Sequence, residues 1–150
     1  YEISACLVGS EMCIRDRNVS YYSKVFDEGS FELYKDLGFS WDNETIRSEF
    51  STFTLEENIR YLKENLLGDK ISTHYRIVNV NRKLIHHVGI LLNNDKELSA
   101  IEEILLIHID MKKRKSCPMP DESFNKVLQM KEENDTLGEL DFDLRFKIKT

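Results

Sequence analysis

At 150 residues with a formal net charge of −6, the chain holds about one domain and enough material to bury a real core. Its mild acidity argues against a polyanion binder, so no nucleic acid is expected as a partner. No run of about eighteen apolar residues occurs, so no membrane-spanning helix is expected. Three cysteines give no disulfide framework and no Cys-based metal set, which favours a soluble cytoplasmic protein.

Residues 1–17, YEISACLVGSEMCIRDR, resemble a translated sequencing-library adapter. Reverse translation of Cys6 to Asp16 fits a transposase-type adapter without a gap, and Tyr1-Glu2-Ile3 fits the end of the flow-cell sequence that precedes a sample index. The expectation is a non-native segment over 1–17 and a natural chain that begins at Asn18. A secretory signal fits less well, because Glu2, Glu11, Arg15, Asp16 and Arg17 leave no apolar stretch of the usual length. Setting the segment aside removes a net charge of −1, leaves −5, and makes Cys117 the one remaining thiol.

The next signal is helical. Asn18 or Ser20 can cap, and Tyr22, Val25, Phe26, Phe31, Leu33 and Leu37 form an apolar face before Gly38. The spacing predicts a helix over 20–37, with a slip and a bend at Gly29-Ser30. A polar loop with Trp41 follows. Over SEFSTFTLEENIRYLKENLLGD the pattern is ambiguous and leans helical. Ile71 to Val80, Lys83 to Leu92 and Leu98 to Met111 read as three strands with short turns, an antiparallel meander. After Pro118 and Pro120, residues 121–133 read as a helix with Asp121 near its cap. The tail over 134–150 is charged, with a weak strand-like alternation at Phe142, Leu144, Phe146 and Ile148. A helix followed by an antiparallel sheet is an α+β arrangement.

The stretches NVSYYSKVFDEGSFELYKDLGF, FTLEENIRYLKENLLGD and ELSAIEEILLIHIDMKKRKSCPMP resemble the thioesterase-like branch of the hotdog-fold superfamily, the branch associated with carnitine and betaine metabolism. The motifs are Asn-Val-x-Tyr-Tyr with Phe26-Asp27, then Thr54-Leu55-Glu56 with Ile59-x-Tyr61-Leu62, then Glu103 with His108-x-Asp110. The likeness runs from Asn18 to about Glu133. It implies a long helix wrapped by a curved antiparallel sheet, with the ambiguous Phe53 to Leu66 segment a strand. The domain over 18–133 would then lack its first strand and active-site loop.

The resemblance also implies a loop like Asp-Tyr-Asn-Gly-His-Met just before the helix, whose aspartate serves as nucleophile or general base in many relatives. The adapter-like segment stands there instead, and Asp16 fits no family position. Thioester hydrolysis needs such a carboxylate and donors for the developing oxyanion. A helix N-terminus supplies free N–H groups and about half a positive charge, worth on the order of 3 kcal/mol per donor in other enzymes. A positioned base adds roughly 100- to 10,000-fold. The intact gene product is therefore expected to hydrolyse a small acyl-CoA, with a betainyl-CoA-like thioester among the candidates, to free acid and CoA; this version is expected to be impaired.

Candidate catalytic residues are Asn18, the first surviving residue of the loop motif, Glu103 and His108. Glu103 lies in an apolar strand, where an unpaired carboxylate is costly; a solvent-facing position or pairing with Arg60 or Arg76 is the alternative. His108 is a base or a structural partner, of Asp110 for instance. His86 and His87 are adjacent, so strand alternation sends them to opposite faces and no shared metal is expected. Tyr21, Tyr22, Trp41 and Tyr61 are candidates for an aromatic box around a trimethylammonium acyl group, with Asp27 facing the same cleft; all five also suit plain core, interface or solvated positions. No cofactor is expected beyond CoA as part of the substrate.

Two other classes stay open. A hotdog hydratase or dehydratase would use a histidine and an acidic residue, and Ile107-His108-Ile109-Asp110 has a superficial likeness to such a site without the Asn-Pro that usually precedes the histidine. A non-catalytic acyl-binding module is the other. Hotdog subunits pair through their sheets, so the resemblance implies a homodimer or homotetramer.

Overall fold

The structure, a computed structural model, describes residues 2–6, 19–39, 49–66 and 68–148. Strand β1 (Glu2–Cys6) precedes helix α1 (Val19–Asp36); strands β2 (Phe50–Tyr61), β3 (Lys70–Val80), β4 (Leu84–Leu92), β5 (Leu98–Asp110) and the short β6 (Lys115–Ser116) follow, and helix α2 (Asp121–Asp135) comes last. The antiparallel strands lie in the order β1-β3-β4-β5-β2, with β6 added to β5. A long helix wrapped by this curved sheet is the hotdog fold. No helix among the described residues is long and apolar enough to cross a membrane.

Helix α1 forms because Val25, Phe26, Leu33, Tyr34 and Leu37 recur on one stripe, and all are buried. Tyr34, absent from the face read off the sequence, is among the most buried side chains, whereas Phe31 is half-buried. At Gly29-Ser30, where a bend is expected, α1 continues without a break. Gly29 is there for close approach instead. A Cβ on Gly29 would stand 2.1 Å from the Tyr75 hydroxyl and 2.6 Å from Thr73 Oγ1. Tyr75 lies opposite Gly89 in the β3–β4 ladder, where a Cβ would press on its ring at 2.9 Å, and its hydroxyl donates to the Phe26 carbonyl at 2.9 Å. One tyrosine thus wedges between two glycines and ties helix to sheet. Gly38, with φ +86°, ends the segment as the spacing predicts.

The ambiguous segment is strand β2. Its ladder with β5 slips between Thr54 and Glu56, leaving Leu55 as an extra residue. Such a bulge resets the side-chain alternation midway, which is why the pattern failed to read as period two. The three-strand meander falls where the sequence places it.

Glu2–Cys6, within the segment read as adapter-derived, pairs with β3 over Lys70–His74. A strand thus stands at that edge of the sheet, beside β3. Helix α2 is longer than expected and takes in Asn134 and Asp135. Its cap position is Pro120, with Asp121 and Glu122 in the first turn, where carboxylates suit the helix dipole. The tail has no strand over Phe142 to Ile148, yet it is docked: the Arg145 and Phe146 N–H groups donate to Glu103 at 2.9–3.1 Å, and Arg60 lies over the Phe142 ring.

Because Tyr75 is held on both sides, Gly29→Ala is expected to cost about 1–3 kcal/mol, as overpacking of a dense core does. Urea denaturation measures it; an unchanged midpoint would contradict the wedge.

Candidate functional site

Strand β5 carries two adjacent buried glutamates, Glu102 and Glu103, at 1% and 0% exposure. Alternation sends them to opposite faces, and so do their partners. Glu103 receives Arg60 Nη2 at 3.1 Å, the two tail N–H groups, and His86 Nε2 at 3.3 Å. Its oxygens are engaged in holding the tail, on the face away from α1. Of the two pairings considered for Glu103, the structure has Arg60.

Glu102 points under α1. Its Oε2 faces His87 Nε2 at 3.4 Å, and His87 Nδ1 meets the Tyr34 hydroxyl. The two ring nitrogens are thus held between a hydroxyl and a carboxyl oxygen, an arrangement in which Tyr34 can donate to Nδ1 and Nε2–H to Glu102. Burial, with His86 adding to it, pushes His87 down to about 3. Burial also drives Tyr34 well above its ordinary value, with Glu102 and Tyr75 contributing. Glu102 is pushed up to about 9, by burial first and then by the carboxyls of Glu57 and Asp27. The Glu102 Oε1 atom is buried and, among the described residues, meets no hydrogen-bond donor.

Asp27 and Glu57 stand at the rim of the same corner, on α1 and β2. Burial raises Asp27, and Glu28 and Glu57 raise it further. Beside them Tyr22 and Tyr61 meet edge to face, centroids 5.0 Å apart. Asn65 Nδ2 donates to the Tyr22 hydroxyl at 3.3 Å and to Ser99 Oγ at 3.1 Å. Burial raises Tyr61, as do Glu57 and Tyr22. The arrangement is an acidic, aromatic-walled corner, suited to a cation.

Of the residues singled out in the sequence, Tyr22, Tyr61 and Asp27 come together here. Tyr21 is half-buried and packs against the core. Asn18 and Trp41 lie outside the described residues. His108 is elsewhere: its Nδ1 accepts from Cys117 Sγ at 3.3 Å or donates to the Cys117 carbonyl at 3.0 Å, and its ring stacks on Phe50. Asp110, weighed as its partner, instead accepts from the N–H groups of Lys112 and Lys113. The sequence reading missed Glu102, Glu57, His87 and Tyr34. The available signal was the adjacent pair Glu102-Glu103, since a strand cannot put both on one face. Among the described residues no three His, Cys, Asp or Glu side chains are placed to hold a metal.

The sequence model of the Thioesterase-like superfamily matches residues 10–129. An L-carnitine dehydrogenase/betainyl-CoA thioesterase of Rhizobium meliloti (strain 1021) is 29% identical over 107 residues, 71% of this chain and 21% of that protein. A betainyl-CoA thioesterase of Pseudomonas aeruginosa is 26% identical over 109 residues, 72% of this chain and 68% of that protein. The chain thus spans about a fifth of the length of the Rhizobium relative. A hypothetical protein from Staphylococcus aureus in complex with CoA has the same fold, with a TM-score of 0.78 at 18% identity over 97% of this chain and 94% of that one.

The two displaced titrations oppose each other at acid pH. His87, lowered, stabilises the fold above about 6.5 and loses that contribution as pH falls toward 3. Glu102, raised, costs nothing below about 4.5 and costs progressively more as pH rises toward 9. Between pH 6.5 and 9 only the second operates, so stability is expected to fall across that window and the fall to be smaller in Glu102→Gln. Chemical denaturation at both pH values tests this; equal slopes in the two proteins would refute it.

Proposed function

The chain belongs to the thioesterase-like superfamily, and on that premise we propose that it is built to hydrolyse acyl-CoA thioesters whose short acyl group carries a quaternary ammonium. The observation that carries the reading is the corner formed by Tyr22, Tyr61, Asp27 and Glu57. Aromatic faces together with two carboxylates attract a cation that has no proton to donate. The names of the Rhizobium and Pseudomonas relatives point the same way.

Val19 and Asp27 are separated by about 12 Å of helix, so the N-terminus and the middle of α1 suit different atoms. Backbone N–H groups at the N-terminus suit the oxyanion that develops on the thioester carbonyl. The carboxylates farther along suit the acyl substituent. The attacking group would come from the stretch before Asn18, where the family resemblance places an aspartate. If residues 1–17 are adapter-derived, that aspartate is missing and hydrolysis is impaired. Glu103, whose oxygens are committed to Arg60, His86 and the tail, and His108, which lies away from this corner with Nδ1 engaged by Cys117, are poor substitutes.

Two copies pairing along β2 would complete the assembly. The described residues place only β5 beside β2, and Phe53, Leu55, Tyr61 and Leu62 are exposed there, Leu55 at 51%, an edge that invites a partner.

The test is thiol release from cationic and neutral acyl-CoA esters, by this chain and by one whose residues 1–17 are replaced with a strand ending in Asp-Tyr-Asn-Gly-His-Met. The repaired chain is expected to turn over the cationic ester far faster than this one does. Tyr61→Ala in it should lower kcat/KM for that ester by about 3- to 30-fold, the worth of one partly desolvated cation–π contact. Silence of the folded, repaired chain on every ester would favour an acyl-binding module and overturn the reading.

A further inference from the structure

We propose that Glu57 and Glu102 share a single proton and form a specificity-determining pair, from which a quaternary ammonium acyl group expels that proton to solvent on binding. The identity of the ligand rests on the thioesterase reading above; the shared proton does not.

Glu102 Oε2 is committed to His87, whereas Oε1 is fully buried and meets no donor. The ladder sets Ile59 opposite Glu102 and Glu57 opposite Ile104, so Glu57 is the next residue along the same face. What stands beside Glu102 is thus a second carboxyl. Two ionised carboxylates cannot hydrogen-bond, since both only accept, and two like charges beneath a helix repel strongly. One proton between them resolves both problems. It resides on Glu102, the buried member.

The surroundings hold this state. The ionisable groups facing Glu102 are Asp27 and Tyr34 from α1, Glu57 from β2, Tyr75 from β3 and His87 from β4. Burial moves both tyrosines up and the histidine down to about 3, which leaves Glu102, pushed up to about 9, as the group that titrates at alkaline pH. Tyr34 and His87 act as positioning residues: they fix Oε2 and turn Oε1 toward the rim. A permanent cation beside Asp27 and Glu57 favours the ionised pair. The Glu102 O–H bond then breaks, the proton passes to water, and no electrons are transferred. By linkage, affinity for the cation must rise as Glu102 ionises.

Two probes of the same shape separate charge from size: trimethylammonium acetate and its neutral-headed analogue 3,3-dimethylbutyrate. Calorimetry of the whole chain in two buffers of different ionisation heat should register proton release near pH 8 with the first and none with the second. Affinity for the first should rise by up to about 50-fold between pH 7 and 9, with that for the second flat. Glu102→Gln should abolish both the release and the rise, as should Glu57→Gln, an independent exposed variant. Infrared spectra of the free protein at pH 7 should contain a protonated-carboxyl stretch that Glu102→Gln removes. Absence of that band overturns the shared proton. Equal proton release with both probes, release that survives in Glu102→Gln, or failure of both probes to bind overturns the ligand linkage. A missing thiol-release activity with the band and the proton release intact would sink the thioesterase reading alone.

Discussion

Adjacent glutamates in the middle of β5 put a carboxyl into the protein on each side of one sheet, and much of the architecture is arranged around that demand. Burying a carboxylate is expensive unless donors meet it. On one side Glu103 is met by Arg60, His86 and two backbone N–H groups of the tail. Those contacts explain why a segment without regular secondary structure lies fixed against the sheet. On the other side, among the described residues, Glu102 meets His87 and a neighbouring carboxyl. The same chemistry, one residue apart, is resolved by solvation with donors on one face and by retention of a proton on the other.

This difference separates structure from function. A fully satisfied carboxylate is a tie, and Glu103 ties the C-terminal segment to the fold. An under-satisfied one beside other carboxyls is a group whose charge state a ligand can change. The wedge of Tyr75 between Gly29 and Gly89 matters for the same reason. It sets how closely α1 approaches the sheet, and hence how dry the Tyr34–His87–Glu102 chain remains. A helix even slightly farther away would admit water, and Glu102 would lose the environment that keeps it protonated.

Much of the fold was legible in the sequence. The meander over β3, β4 and β5 follows from alternation and turn residues, and α1 and α2 from apolar spacing. What misled was local. The bulge at Leu55 breaks the alternation of β2, so only the family resemblance assigned it as a strand. Gly29 read as a defect in a helix face because the atom it makes room for, the Tyr75 hydroxyl, lies 46 residues away in sequence. The candidate site was half legible. Tyr22, Tyr61 and Asp27 were visible as an aromatic and acidic set, but Glu103 drew the attention that belonged to Glu102. Which of two neighbouring glutamates faces the helix depends on strand register, and that is settled by pairing with β2 and β4.

The claim on which the account turns is that Glu102 is neutral inside a protein at neutral pH. Titration of a sample labelled with carbon-13 at the glutamate side-chain carboxyls, followed by NMR, reads it directly. The account predicts one resonance, missing from Glu102→Gln, that stays protonated through neutrality and moves only as pH approaches about 9. Titration of that resonance in the ordinary carboxylate range would contradict it.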